Sequence, residues 1–182
     1  MPSTWALLKA DFRANAPGLP EQPGPAAVAR AIARNAPTVR FAAVALLRLA
    51  QAAGGRSRAA GALVKQANHV LTGCDAAFQA EIGPGLVLYH PTGVVIGPGC
   101  RVGARATIMQ GVTLGSDAVV VGDGLAGSPS VGDDAFIGPG AAVFGPVELG
   151  DRVQVGANSV VTSSFGSDVV IAGAPARVVR QR

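Results

Sequence analysis

Two histidines, His69 and His90, and two cysteines, Cys74 and Cys100, are the whole supply of imidazoles and thiols in this 182-residue chain. A zinc centre on such a chain would want three neutral imidazoles or equivalent thiolates, so no metal site is expected. Two thiols make no framework of bridges, and a reducing cytoplasm is the default compartment. His69 sits in a helical pattern and reads as an ordinary surface or packing residue. His90 follows Leu88, an inward position of the repeat described below, by two places, and lies beside a slip in that repeat. It is expected to project outward. An outward imidazole on a rigid support can serve as a general base near neutral pH. Taken alone, it is equally an exposed histidine with no task.

The composition says what can support such a residue. Hydrophobic residues make up 49% of the chain but aromatics only 4%, so the core must be built from Val, Ile, Leu and Ala. The length fits one domain with a small appendage. No apolar stretch reaches the roughly 20 residues that cross a bilayer; Phe41 to Leu47 is the richest, and Arg48 interrupts it. Asp11 falls inside the first apolar pattern and no basic-then-apolar leader precedes it, so neither a membrane anchor nor a signal peptide is expected. The net charge of +4 is uneven: residues 1–70 hold nine Lys/Arg against two acids, and residues 71–182 hold six against nine. The basic half shows no basic run and no interleaved aromatics, and its arginines recur at helical spacing as on the wet faces of small helices. Nucleic acid is therefore not expected as a partner.

The chain divides near residue 75. Before that point four helices are expected. The first covers about residues 3–14, capped by Ser3, with Trp5, Leu8 and Phe12 on one face. The second runs from Pro25 to about Asn35, the third from Pro37 to Gly54-Gly55, and the last from Ser57 to Leu71, closed by Gly73. After it, aliphatic residues recur every six positions: Ile82, Leu88; Ile96, Val102, Ile108, Leu114; Val131, Ile137, Val143, Leu149, Val155, Val161. In eight of these the next residue is Gly. The fifth place of each hexad is usually small or β-branched, as at Thr92, Ala106, Val112, Ala135, Ala141, Val147 and Ser159.

Helices repeat at 3.6 and strands at 2, so neither accounts for one aliphatic residue in six. A parallel β-helix of triangular section does: each short strand is one side, three sides make a coil, and twelve hexads make about four coils. The aliphatic residue and its small companion face inward, and Gly relieves the corner. The register slips twice, by two residues around Thr92–Val95 and by a longer break between Leu114 and Val131. That break, Gly115–Ser130, is polar and Gly-rich and is expected to project as a loop over a neighbouring copy. Flat prism faces suit closed threefold association, so a homotrimer is expected, with clefts between the prisms.

Four segments carry a resemblance: Thr72-Gly-Cys-Asp75; Ile82 to Gly97 (IGPGLVLYHPTGVVIG); Gln110-Gly-Val-Thr-Leu-Gly115; and Ala172-Gly-Ala-Pro-Ala-Arg177-Val-Val. In order and spacing, over about residues 70–180, they resemble the serine O-acetyltransferase family of hexapeptide-repeat, left-handed β-helix acyltransferases. The resemblance implies a small α-helical N-terminal region, residues 1–72, before a mainly β acyltransferase domain, residues 73–182, whose loop 115–130 protrudes. It implies acetyl-CoA as co-substrate and His90 as general base, with Asp75, fifteen residues earlier, as the group that orients it. The pantetheine arm would run beside Thr113, Gly115, Ser116 and Ala157. Arg177, and with it Arg180 and Arg182, would meet the CoA phosphates, although a frayed basic tail would look the same at Arg180 and Arg182.

The acceptor site, placed by resemblance at Tyr89, Gln110 and Ser128, departs from the family. Tyr89 replaces the Asp that greets the amino group of serine, Gly127 and Ser128 stand where an Arg-His pair holds its carboxylate, and the loop is longer. The base survives while the charges that grip a zwitterion do not. The expected activity is acetylation of the hydroxyl of serine or of a related small acceptor. Acylation of another amine, amino sugar or specialised-metabolite acceptor, and a non-catalytic scaffold, remain as alternatives.

Overall fold

The computed structural model describes residues 2–35, 38–116 and 127–182. Four helices come first: α1 (Thr4–Asn15), α2 (Pro25–Asn35), α3 (Val39–Gly54) and α4 (Arg58–Thr72). Their ends follow from local chemistry. Ser3 and Ser57 accept from the backbone N–H groups of Ala6 and Ala60, and Pro25 supplies a first-turn residue with no N–H to satisfy. Gly73 closes α4 in the left-handed conformation at φ 75°. Pro37, expected to open the third helix, lies outside the described residues.

From Asp75 onward the chain forms short parallel strands in three sheets, of five, four and six strands, which are the three sides of a prism. All twelve aliphatic residues of the repeat are buried, and the core cluster consists largely of them and their small companions. Register partners lie twenty residues apart in the first coil (Asp75 with Val95), eighteen in the next (Val95 with Thr113) and twenty-nine across the long break (Thr113 with Ala142). Eighteen residues is three six-residue sides, so both expected slips are present as insertions that leave the ladder in register. Residues 117–126 of the projecting loop lie outside the described residues.

The details correct the expectation at several points. Thr92 is exposed, and Val94 fills the inward place instead, because the two-residue slip falls between Leu88 and Val94. The last coil is short, with Gln154 pairing Val170 sixteen residues on. The tail is not frayed. Strand Ala176–Gln181 folds back antiparallel on Val169–Gly173, and Arg182 is pinned by its N–H to the Asp168 carbonyl at 2.8 Å. Both cysteines are free and buried, and burial pushes the thiols up to about 12 for Cys74 and about 11 for Cys100.

At six of the eight places where Gly follows the aliphatic residue (Gly83, Gly103, Gly132, Gly138, Gly150 and Gly156), it serves space rather than conformation. The left-handed residues lie further along the corner, at Gly85, Arg105, Asp134 and Arg152 among others. At Gly132 a Cβ would stand 2.7 Å from the Asp151 backbone nitrogen, closer than such contacts ever come. Gly132→Ala is therefore expected to cost about 1–3 kcal/mol in thermal or urea melts. Gly166→Ala, where a Cβ would meet nothing within 4 Å, is expected to leave the melt unchanged.

The helices dock through a buried ion pair that the sequence pattern concealed. Trp5 is 70% exposed, and the residues α1 buries are Asp11 and Asn15. Arg48, expected on a wet face, is 1% exposed. Its Nε donates to Asp11 Oδ2 at 2.8 Å, and its two Nη groups donate to the carbonyls of Ile82 (2.8 Å) and Gly83 (2.6 Å). Asp11 Oδ1 accepts the N–H groups of Gly85 (2.7 Å) and Leu86 (2.9 Å), and Asn15 donates to the Leu86 carbonyl. Every charge is compensated, which is the condition under which burying a pair is tolerable. The pair ties α1 and α3 to the first coil, on which the candidate site is built.

Candidate functional site

His90 follows strand Val87–Leu88 at the corner where the chain turns from one prism side to the next, at the two-residue insertion. It is exposed, as expected. Its ring meets that of Tyr89 edge-on, with centroids 5.3 Å apart. The Arg40 guanidinium lies over the other ring, 5.0 Å from the Tyr89 centroid, and donates to the Asn15 carbonyl at 2.8 Å. Tyr89 is thus held from both sides.

His90 opens on a pocket of about 720 Å³. Its walls are the α1–α2 loop, one face of α2, the start of α3 and residues 89–91. This wall is the part of the site that sequence reasoning missed. The only signal was the spacing of Arg30 and Arg34, four apart and so on one face of α2, and both were read as solvated.

Asp75 is not joined to His90. Its carboxylate is ion-paired with Lys65 of α4, the pair being about a third exposed, and among the described residues no hydrogen bond links Asp75 to the imidazole. The two positions are near in the coil, since Gly93 donates to the Gly73 carbonyl one level below, but the carboxylate points to the helix.

The other candidates divide between two edges of one prism side. Backbone bonds climb the His90 edge, from Gly111 N–H to the Thr92 carbonyl, Gly140 to Gln110 and Asn158 to Pro139. They place Gln110 and Ala157, both exposed, above His90. Strand Thr113–Gly115 crosses the side that also carries Asp75–Ala76 and Val95–Ile96, and Ser116 follows at its far edge. Ser128 lies at that far edge too, in a small cleft with Glu81 and Arg101, so one chain does not bring it to His90. Arg177 is exposed on the return strand, opposite Ala172. Among the described residues no three or more His, Cys, Asp or Glu side chains are grouped so as to hold a metal, and no helix is long and apolar enough to cross a membrane.

Two stretches match family models: residues 128–163 match "Bacterial transferase hexapeptide (six repeats)", and residues 93–122 match "Hexapeptide repeat of succinyl-transferase". The structure superposes on soybean serine acetyltransferase complexed with serine at a TM-score of 0.83 and 30% identity, covering 98% of this chain and 70% of that one. The chain belongs to the serine acetyltransferase family. A serine acetyltransferase in complex with CoA is similar at a TM-score of 0.81 and 28% identity, again with 98% and 70% coverage. Among curated members of the family, the enzyme of Mycobacterium tuberculosis is 42% identical over 112 residues, which is 62% of this chain and 48% of that protein. That of Staphylococcus xylosus is 40% identical over 119 residues, 65% of this chain and 54% of that one. The chain thus spans about half the length of these curated serine acetyltransferases.

Proposed function

We propose that this protein is an acetyl-CoA-dependent O-acetyltransferase that acetylates the hydroxyl of serine or a related small acceptor, with His90 as general base. The observation that carries the reading is an exposed imidazole at the mouth of a 720 Å³ pocket, in a chain of this family. Relatives solved with serine and with CoA support a small hydroxyl acceptor and CoA as the two substrates. His90 takes the proton of the acceptor hydroxyl as its oxygen attacks the thioester carbonyl. The C–O bond forms, the C–S bond breaks, and the imidazolium returns the proton to the departing thiolate. Asp75 orients the imidazole once its carboxylate leaves Lys65, which makes Lys65 a competitor for the orienting group.

On this reading residues 73–182 are the acyltransferase domain, a left-handed coil with loop 115–130 protruding, and residues 1–72 are its helical N-terminal region. Thr113, Gly115, Ser116 and Ala157 line the pantetheine arm, and Arg177 meets the phosphates. Tyr89, Gln110 and Ser128 border the acceptor. Ser116 and Ser128 sit across a prism side from His90, at about 3.3 Å per residue over some five residues. A site that uses both edges draws them from adjacent copies, and this supports a homotrimer. Two buried, unpaired thiols suit a reducing cytoplasm.

The test is incubation with acetyl-CoA and a panel of small alcohols that includes L-serine, following free CoA thiol and the acetyl ester by mass. The expected result is saturable, acceptor-dependent release. Release that gives only N-acetyl products, or CoA binding without transfer to any acceptor, would overturn the reading.

A further inference from the structure

The pocket beside His90 carries an unbalanced charge. Arg30 and Arg34 project from one face of α2 and Arg40 from the start of α3, while no Asp or Glu is among the described residues that line it. Arg30 and Arg34 stand at i and i+4, a spacing at which like charges repel along a helix. Arg40 is fixed in place by the Tyr89 ring and the Asn15 carbonyl. Three guanidinium groups, one of them preorganised against the neighbour of the base, form a receptor for anionic oxygens. An acceptor ammonium entering the same space would meet three like charges and, among the described residues of the pocket, no carboxylate, with Tyr89 among the lining side chains.

We infer that the acceptor is a hydroxyl compound bearing carboxylate or phosphate oxygens and no ammonium group, held by Arg30, Arg34 and Arg40 with its hydroxyl toward His90. This rests on the acetyl-transfer reading above and, of the acceptors it allows, takes an anionic relative of serine over serine itself. CoA phosphates are poor occupants, because the extended pantetheine arm separates them from the thioester that must lie at His90.

Calorimetric titration of the CoA-loaded protein reads the pocket without requiring turnover. The probes are D-glycerate and glycerol 3-phosphate, which separate carboxylate from phosphate recognition, with L-serine and glycerol as zwitterionic and neutral counterparts. At least one anion is expected to bind about tenfold or more tightly than serine and glycerol. Arg30→Ala with Arg34→Ala is expected to weaken that anion by about tenfold per guanidinium and to leave CoA affinity unchanged. Both arginines are exposed, so the variant is expected to fold, with circular dichroism as the check. Serine binding as tightly as either anion, or an unchanged anion affinity in the variant, overturns the inference. So does a loss of CoA affinity instead, which would assign the arginines to CoA. Absence of acetyl transfer in the parallel thiol assay sinks the enzymatic reading and leaves the binding result to stand by itself.

Discussion

His90→Ala is expected to lower acetyl transfer by about two to four orders of magnitude while the variant melts and binds CoA as the parent does. The expectation of an intact fold follows from the geometry. The imidazole is exposed and packs edge-on against the Tyr89 ring, itself half-exposed, so its removal strands no buried partner. The loss falls on kcat, because a base acts on the proton in flight and contributes little to holding either substrate. Asp75→Asn separates two roles. If Asp75 orients His90, the rate falls with little change in acceptor KM. If its only task is the ion pair with Lys65, Asp75→Asn and Lys65→Met shift the melt equally and spare the rate. Wild-type turnover in His90→Ala would remove the base from the mechanism altogether.

Arg48→Ala is expected to destabilise the protein by about 3–5 kcal/mol, since it leaves the Asp11 carboxylate buried without its counter-charge. At roughly 2–4 °C per kcal/mol for a chain of this size, the midpoint should drop by about 10 °C. Asp11→Ala should cost a comparable amount, because it frees a fully buried guanidinium and two N–H groups of the Gly85–Leu86 turn. The double variant should cost clearly less than the sum, as both changes remove one shared interaction. Additive losses in melts would show that the two residues act separately. The site should suffer as well, since the same pair fixes α1 and α3, which carry the pocket wall, against the coil bearing His90.

Much of the coil could be read from the chain because a period of six admits few alternatives, and all twelve aliphatic positions point inward. Both insertions were legible as breaks in that period. Thr92 was misjudged because counting on from Leu88 ignores a slip that begins before it. Asp11 and Arg48 were invisible for a different reason. They are 37 residues apart, and the pattern rules treat a charge in an apolar stripe as an interruption rather than as half of a pair. The pocket was missed likewise: Arg30, Arg34 and Arg40 lie outside the repeat, and only the docking of the helices brings them to His90. Sequence could nominate His90 and Asp75, but the direction of the Asp75 side chain depends on where α4 leaves Lys65.

A stack of parallel rungs has two raw ends, and either could template another molecule into an open-ended fibre. Here the N-terminal helices stopper one end, with Val44 and Leu47 joining the core cluster. At the other, the hairpin of Val169–Gly173 and Ala176–Gln181 reverses the strand direction and presents an arginine-studded rim. Trimming the last dozen residues should therefore be felt as precipitation, and in weaker CoA binding as well, since Arg177 leaves with them.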